Sequence, residues 1–281
     1  MKATRDPMLT DKERALVYDQ AYVPEHLPDY VQSVSGAEPF LHESHICFLR
    51  KRHLTFIGYP LGSGGMSSAD AYESACERLR ALSTAIIAPK IWLRDCDSDR
   101  GEPDSYYRLE LPLPPLSPDV AYMIRRASRD LSVSLGTYSG EHEGLVRTFI
   151  STHEVSPEHE SIFERIPTYL KQSQTARLLE ARRGKELAAF SIVDLGSARY
   201  GYYVFNFRST RINAPGASDL LLHEMSVEAQ MQGKKFMNLG LGISLGVRRF
   251  KEKWDASPFL PYDSMVVHRD RVDIWSLLRR L

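Results

Sequence analysis

The clearest periodic pattern along the chain predicts a long helix in its second half. In the stretch "SDLLLHEMSVEAQMQ", Leu221, Met225 and Ala229 recur every four residues, so they share one face of a helix. Gly233 follows directly and can take the left-handed conformation that ends many helices. The pattern therefore predicts a helix over residues 218–232.

A shorter helical pattern in "GVRRFKEKW" carries a lysine on its apolar face. Val247, Phe250, Lys251 and Trp254 stand at i, i+3, i+4 and i+7. Lys251 can lay its stem along the core and extend its amine to water, or it can hold an ammonium at the edge of a dry pocket. The other charges are expected on the solvated face: Arg248, Arg249, Glu252 and Lys253.

Apolar runs bounded by turn residues predict a strand meander before the long helix. "TARLLEAR" turns at residues 183–184 into "ELAAFSIVDL", which turns at residues 196–197 into "ARYGYYVFNF". "KKFMNLGLG" and "YDSMVVHR" are predicted as later strands. The order is meander, loop, helix, strand, helix, strand.

The first half has a similar order of elements. "HICFLRKRHLTFIGYPLG" predicts two strands with a basic turn at residues 50–53, and a Gly/Ser loop, a helix in "ADAYESACERLRAL" and a strand in "AIIAPKIWLR" follow. Prolines in the first forty residues interrupt regular structure. We therefore predict an α/β protein of two similar domains, residues 1–104 and 105–281, with mixed central sheets flanked by helices.

The proline-dense stretch "EPDSYYRLELPLPPLSPD" is predicted to connect the halves. At its end, Ser117 is a plausible N-cap and Pro118 suits the first helical position. The helix that follows carries Arg125, Arg126 and Arg129 as a basic stripe. This stripe is either a solvated face or a contact for phosphate or an RNA backbone.

Composition and charge limit the classes of protein. The chain has 281 residues and 43% hydrophobic content, enough for a sizeable core, and its 36 basic residues equal its 36 acidic ones. No overall field therefore draws it to nucleic acid or to an anionic membrane. It shows no apolar signal-peptide core and no run near the roughly 18 apolar residues of a membrane span. We expect a soluble, cytoplasmic protein, in which the terminal "DIWSLLRRL" helix packs on protein rather than on a membrane.

Cysteine and histidine patterns do not predict a metal site. Cys47, Cys76 and Cys96 are odd in number, far apart and form no CxxC, which argues against a disulfide framework and a structural zinc. His42 and His45 in "HESH" lack the HExxH spacing and an evident third ligand.

The glycine-rich stretch "NLGLGISLG" does not fit a dinucleotide-binding loop. Gly240 and Gly242 match the first two glycines of G-x-G-x-x-G, but Leu245 takes the sixth position and the third glycine is Gly246.

The stretch "NAPGASD", residues 213–219, is the best candidate for an anion site. It follows a strand, offers Gly216 for close backbone approach and leads into a helix whose first N–H groups have no intrahelical partner. An ordinary helix start with Ser218 as N-cap is the alternative, and Asp219 places a negative charge near the proposed anion.

The order of elements in the second half resembles the GNAT acyltransferase core. More narrowly, "ASDLLLHEMSVEAQMQGKKFMNLG" followed by "GVRRFKEKW" resembles the Fem-type, GNAT-like transferases, and "IRRASRDLSVSLG" resembles their linker into the second domain. These enzymes include the builders of peptidoglycan cross-bridges and the soluble domain of lipid lysyltransferases. The resemblance covers roughly residues 105 to 268, and it implies two GNAT-like domains: a degenerate one in residues 1–104 and the acyltransferase domain in residues 105–281.

The resemblance implies an N-acyltransferase or aminoacyltransferase. A lysine in the family's "FK" element contributes to the active site, which maps onto Lys251. The GNAT pyrophosphate loop maps onto Asn213, Gly216, Ala217 and Ser218, where the departures from its usual residues leave room for aminoacyl-tRNA besides acyl-CoA as donor.

The resemblance also implies an amine-bearing acceptor, such as a small molecule or a cell-wall or lipid precursor, and possible tRNA binding. No tightly bound cofactor is expected. Glu224, near the apolar face of its helix, is the candidate general base. Two alternatives stay open: a non-catalytic GNAT-like binding module, and an RNA-binding protein that uses the Arg125 helix and Lys234 with Lys235.

Overall fold

A computed structural model describes residues 8–93 and 98–268. The chain forms two compact units. The described part of the first unit comprises residues 8–14, 36–104 without 94–97, and 261–268, and the second comprises Ala15–Ser35 and Ser105–Leu260. Segments of the two units alternate along the chain, and the division into domains 1–104 and 105–281 stays a prediction.

The structure is a mixed α/β architecture, as the sequence predicts. The helices in the described residues are α1 (Asp11–Gln20), a 3₁₀ helix (Pro24–His26), α2 (Pro28–Ser35), α3 (Ser68–Leu79), α4 (Pro118–Asp130), α5 (Gly140–Thr152), α6 (Pro157–Glu164), α7 (Ile166–Gln172), α8 (Ala217–Met231) and α9 (Leu245–Lys253). The strands are β1 (Glu38–His42), β2 (His45–Arg50), β3 (His53–Ile57), β4 (Ser83–Ala88), β5 (Ser98–Arg100), β6 (Asp104–Glu110), β7 (Ser132–Leu135), β8 (Ala176–Arg183), β9 (Glu186–Asp194), β10 (Tyr200–Arg208), β11 (Phe236–Leu241) and β12 (Ser257–His268).

In the first unit, a mixed sheet runs in the order β1-β2-β3-β4-β12, and β5 pairs with β12. Only β3 and β4 are parallel in this order, and α3 lies between them in sequence as their crossover. The apolar face of α3 packs against buried side chains of β2, β3 and β4. The predicted hairpin at residues 50–53 and the helix after it are confirmed.

In the second unit, the sheet runs in the order β6-β11-β10-β9-β8-β7. β10 and β11 are parallel, whereas the other neighbours are antiparallel. Because side chains alternate across a strand, β9 sends Ala189 and Val193 to a core with α4 and α8, and Phe190 and Ile192 to a core with α5 and α7. The sheet is therefore covered on both faces.

Two regions differ from the sequence prediction. The supposed connector contains β6, whose residues Tyr106 and Tyr107 are buried between helices and sheet neighbours. Residues 8–42 form α1, the 3₁₀ helix, α2 and β1, although prolines in this region predicted interruption. Pro24 and Pro28 occupy first helical turns and Pro39 lies at a strand start, positions that need no intrahelical N–H donor.

The structure also bears on the predicted start of α4 and on the histidines of "HESH". Ser117 accepts a hydrogen bond from the Val120 N–H at 3.4 Å, so the predicted N-cap of α4 is confirmed. His42 and His45 lie on β1 and β2, where each bonds a serine of α3. Cys96 and the stretch "DIWSLLRRL" lie outside the described residues.

The described residues contain neither a candidate membrane-spanning helix nor a candidate metal-binding group. Among the helices in residues 8–93 and 98–268, none is long and apolar enough to cross a membrane. The same part of the chain holds no group of three or more His, Cys, Asp or Glu side chains that could bind a metal ion.

A buried carboxylate fixes the end of β9 to the segment before β8. Asp194 is fully buried and accepts four hydrogen bonds. The donors are the Tyr169 hydroxyl at 2.5 Å, the Thr175 hydroxyl and the Gly196 N–H at 2.8 Å each, and the Ser173 hydroxyl at 3.3 Å. A buried charge is tolerated when several donors replace its water shell.

We predict that Asp194→Ala lowers the free energy of unfolding by about 3 kcal/mol or more, because all four donors lose their acceptor. Tyr169→Phe removes one donor and should cost about 1 to 2 kcal/mol. Urea unfolding of both variants checks the order. Equal losses would show that Tyr169 alone accounts for the stabilisation.

Candidate functional site

The candidate site begins where β10 and β11 part. These parallel strands pair at three positions, the last of which joins Tyr202 and Asn238. Beyond that point β10 continues along β9 as far as Arg208, and β11 continues along β6 as far as Leu241. This parting is an opening in the hydrogen-bond ladder between two strands in the middle of the sheet.

Each of the two strands carries an irregularity at the opening. The pairing of β10 with β9 shifts between Tyr203 and Phe205, and the pairing of β11 with β6 shifts between Asn238 and Leu241. At the second shift Gly240 has φ +75°, and its N–H donates to the Asn238 side-chain oxygen at 2.8 Å. Bulges take backbone groups out of the regular ladder and redirect side chains, and they occur often beside active sites.

Lys251 places an ammonium at the end of β11. Its side chain extends from α9 and its Nζ donates to the Leu241 carbonyl at 2.5 Å. The same nitrogen lies 5.5 Å from the centre of the Tyr107 ring, and the residue is 3% exposed. The side chain therefore does not extend its amine to water, which was one of the two interpretations of the sequence.

A buried ammonium is costly unless polar partners replace its hydration. The Leu241 carbonyl and the electron-rich ring face of Tyr107 provide such partners. In this low-dielectric setting the charge acts strongly on any negative charge that develops nearby. The geometry agrees with the second interpretation, in which Lys251 borders a dry site, and its catalytic role stays a prediction.

Asp219 links α8 to the end of α9. The carboxylate is 4% exposed and accepts from the Trp254 indole N–H at 2.9 Å and from the Lys253 ammonium at 2.5 Å. It also lies in the first turn of α8, where a negative charge is favoured by the helix dipole. Lys253 therefore balances the charge that the sequence placed beside a proposed anion, and the pair holds α9, with Lys251, in position.

The loop before α8 has a different construction from the predicted one. Gly216, with φ +82°, is the N-cap residue of α8, so Ser218 is not the cap. The Ser218 hydroxyl instead lies 2.9 Å from the Asn206 side-chain oxygen on β10. Ala217 is buried, and its N–H donates to the Ala214 carbonyl at 3.2 Å.

Gly216 is required for packing as well as for its conformation. A Cβ atom at this position would lie 2.4 Å from the Met123 carbonyl oxygen and 3.3 Å from the Ala127 side chain, both on α4. The close backbone approach that the sequence indicated is therefore made to α4. Asn213 is exposed nearby, and its carbonyl accepts from Arg183 at 2.8 Å.

The four predicted donor-binding residues thus lie together at the start of α8, and anion binding there stays a prediction. Glu224 lies apart from them, roughly 10 Å along the helix from Ala217. Its side chain is 42% exposed and bonds the His223 ring at 3.2 Å. Its assignment as general base also stays a prediction.

Residues 15–35 contribute to this region, which their sequence did not indicate. The Asn238 side-chain amide, fully buried beside the opening, donates to the Tyr22 carbonyl at 3.0 Å. A buried asparagine in a strand needs such partners. "MNLGLG" therefore contained a signal, an amide inside an apolar run, but the sequence did not identify its partner.

Comparisons of the structure with solved structures identify its fold. The C-terminal domain of a putative lysylphosphatidylglycerol synthetase from Agrobacterium fabrum is 14% identical, with TM-score 0.62, covering 95% of this chain and 93% of its own. FemX is 11% identical, with TM-score 0.59 and coverages of 96% and 98%. A tandem GNAT protein from the clavulanic acid biosynthesis pathway is 11% identical, with TM-score 0.51 and coverages of 94% and 97%.

No model of a protein family matches the sequence, and a search of curated proteins finds no significant match. The structural likeness therefore shows the fold. The chain has a GNAT-like fold of the kind found in Fem-type proteins, which confirms the resemblance seen in its sequence.

We predict that Gly216→Ala lowers the free energy of unfolding by about 3 kcal/mol or more, since it adds a backbone clash to an unfavourable φ. Gly233→Ala is the matched control: Gly233 has φ +74°, but nothing lies within 4 Å of an added Cβ. It should cost only about 1 to 2 kcal/mol. Chemical unfolding of both variants tests this difference, and equal costs would contradict the close contact with α4.

Proposed function

We propose that this protein is an N-acyltransferase or aminoacyltransferase that moves an acyl or aminoacyl group from an activated donor to an amine acceptor. The observation that carries the proposal is the ammonium of Lys251, buried at the end of β11 where that strand parts from β10. The GNAT-like fold supports the same class of reaction.

The reaction consists of direct attack of the amine on the donor carbonyl. Attack turns the carbonyl oxygen into an oxyanion, which needs preorganised positive charge or N–H donors. Lys251 supplies the charge, and backbone N–H groups at the register shifts in β10 and β11 are proposed as further donors, except that of Gly240, which bonds the Asn238 side chain. Collapse of the tetrahedral intermediate forms the amide and expels the thiol of CoA or the hydroxyl of tRNA.

Two donors fit different parts of the second unit. An acyl-CoA would place its pyrophosphate at the start of α8, close to Gly216 and Ser218, where helix N–H groups favour anions. The negative charge of Asp219 nearby would repel the pyrophosphate, and the ion pair of Asp219 with Lys253 reduces this repulsion. No tightly bound cofactor is part of the proposal.

An aminoacyl-tRNA would use the basic stripe of α4. Four exposed residues share one face of α4, because they stand at i, i+3, i+4 and i+7: Tyr122, Arg125, Arg126 and Arg129. The tyrosine is 54% exposed. The opposite side of the helix packs into the core. Among the described residues none of these three arginines forms an ion pair, so the like charges on this face are not neutralised within the protein. Cationic side chains beside an aromatic ring suit a nucleic-acid backbone with an accessible base.

The acceptor is proposed to be an amine-bearing molecule. The name of one similar structure, a putative lysylphosphatidylglycerol synthetase, supports a lipid precursor, and the resemblance of the sequence adds cell-wall precursors and small amines as candidates. The alternative function is a non-catalytic binding module with the same fold. A module would not need a buried ammonium beside an open sheet, which is why we favour the enzyme.

We predict that Lys251→Met retains the fold and lowers turnover at least about a hundredfold, because the methylene stem is kept and the charge is lost. Lys185→Met, at an exposed turn between β8 and β9, is the control and should keep wild-type turnover. Steady-state kinetics with both substrates, after a check of folding by circular dichroism, measure the effect. Wild-type turnover in Lys251→Met would assign this lysine to packing alone.

We predict a donor-specific dependence on salt. If the donor is aminoacyl-tRNA, its affinity should fall by roughly a thousandfold between 50 and 200 mM salt for six phosphate contacts, and a double variant Arg125→Glu/Arg129→Glu should weaken it further. Lys171→Glu/Lys185→Glu has the same change in net charge and should affect binding much less. If the donor is acyl-CoA, neither double variant should alter its affinity.

Fluorescence titrations of tRNA and of an acyl-CoA series at both salt concentrations distinguish these cases. Tight acyl-CoA binding with no salt-sensitive tRNA binding would reject the role of α4 in donor binding. Failure of both donors to bind would favour the non-catalytic module.

A further inference from the structure

The segment Ala15–Ser35 places a carboxylate against the same strands as Lys251. Three hydrogen bonds fix it to the second unit: Ser197 donates to the Ala21 carbonyl at 2.7 Å, Asn238 donates to the Tyr22 carbonyl at 3.0 Å, and the Tyr106 hydroxyl donates to Glu25 Oε2 at 2.6 Å. Glu25 lies in the 3₁₀ helix Pro24–His26.

Glu25 and Lys251 reach the end of β11 from opposite faces of the sheet. Tyr106 is the register partner of Leu241, whose carbonyl accepts from Lys251. The next residue, Tyr107, has its ring beside the Lys251 ammonium, and neighbouring residues of a strand point to opposite faces. Tyr106, which holds Glu25, therefore points to the face opposite Lys251. Beyond the pairing of Tyr202 with Asn238, no ladder hydrogen bonds join β10 to β11, so the sheet is interrupted beside this position.

The surroundings of Glu25 suit a group that takes up a proton. Burial raises the pKa of its carboxyl above the ordinary value, and the hydrogen bond from Tyr106 partly opposes this rise. The residue as a whole is intermediate in exposure, whereas its carboxyl is the buried part. The titratable and charged groups on the elements around it are Tyr106 and Arg108 on β6, Tyr200 and Tyr202 on β10, and Tyr22 and His26 on its own segment.

We propose that Glu25 accepts the proton from the attacking amine, an inference that rests on the proposed transferase function. The carboxylate takes one proton from the nitrogen as the N–C bond forms at the donor carbonyl. The C–S bond of a thioester or the C–O bond of an aminoacyl ester then breaks, and the leaving thiolate or alkoxide takes up a proton. Glu25 returns its proton to the leaving group or to water, so the cycle balances without another reactant.

A catalytic and a purely structural role of Glu25 predict different effects of the substitution Glu25→Gln. Its carboxylate accepts from the Tyr106 hydroxyl and from its own backbone N–H, and a glutamine oxygen can accept such bonds as well. Glu25→Gln therefore preserves the contact and removes only the ability to take up a proton. If the residue serves the fold alone, this substitution leaves transfer unchanged.

The test is the pH dependence of amine transfer by the full chain, with whichever donor the binding titrations identify. In the wild type, activity should rise with pH through the pKa of Glu25, because only the carboxylate accepts a proton. Glu25→Gln should lower turnover about a hundredfold and abolish this rise. Glu25→Asp should recover part of the activity. Tyr106→Phe should move the rise to higher pH, since it removes the bond that favours the charged form.

Glu186→Gln, an exposed residue at the start of β9, is the control and should match the wild type. Glu224→Gln compares the other candidate base, and loss of the rise in that variant instead would transfer the role to Glu224. Unchanged turnover and pH profile in a folded Glu25→Gln variant would overturn the inference while leaving the transferase function intact. A wild type that is inactive with every donor would refute the proposed function itself.

A measurement without turnover tests the environment of Glu25 separately. Carbon-detected NMR of the glutamate carboxyls should show one group that titrates above the ordinary range in the wild type and is missing from Glu25→Gln. Titration of Glu25 at an ordinary value would contradict the proposal even if Glu25→Gln were inactive.

Discussion

The short parallel pairing of β10 with β11 is the constraint on which the rest of the second unit depends. Each strand keeps an antiparallel neighbour on its other side, so both remain in the sheet after they part. The gap therefore costs few ladder hydrogen bonds. Lys251 bonds β11, which borders this gap, and Glu25 bonds β6, the antiparallel neighbour of β11.

Polar contacts between segments that are distant in sequence hold the elements around the gap in place. Asp219 joins the first turn of α8 to the end of α9, and Asn238 joins β11 to the segment before α2. Each is a buried polar side chain whose loss would leave its partners unsatisfied, so each fixes one arrangement rather than several. The glycine at the start of α8 adds a steric condition, because α4 occupies the space of its missing side chain.

The sequence predicted those elements whose signals are local. The four-residue spacing of Leu221, Met225 and Ala229 predicted α8, and Ser117 with Pro118 predicted the start of α4. β6 was missed because prolines flank it and because its pairing partner β11 lies far along the chain. The residue spacing predicted the position of Lys251 on its helix. Its contact with the Leu241 carbonyl and the hydrogen bond from Trp254 to Asp219 depend on tertiary structure, so the sequence did not predict them. Glu25 gave no sequence signal, since its environment comes from Tyr106.

The alternation of the two units along the chain affects the order of folding. Tyr22 and Asn238 are separated by 216 positions, so their hydrogen bond forms only after nearly the whole chain exists. At synthesis rates of about 5 to 20 residues per second, the segment Ala15–Ser35 waits roughly 10 to 40 seconds for its partner strands. During that interval its apolar residues, Val17, Val23 and Leu27 among them, have no native core to enter. In nascent chains of this protein, the apolar segment Ala15–Ser35 is therefore exposed, and accessible to chaperones, until β11 has been synthesised.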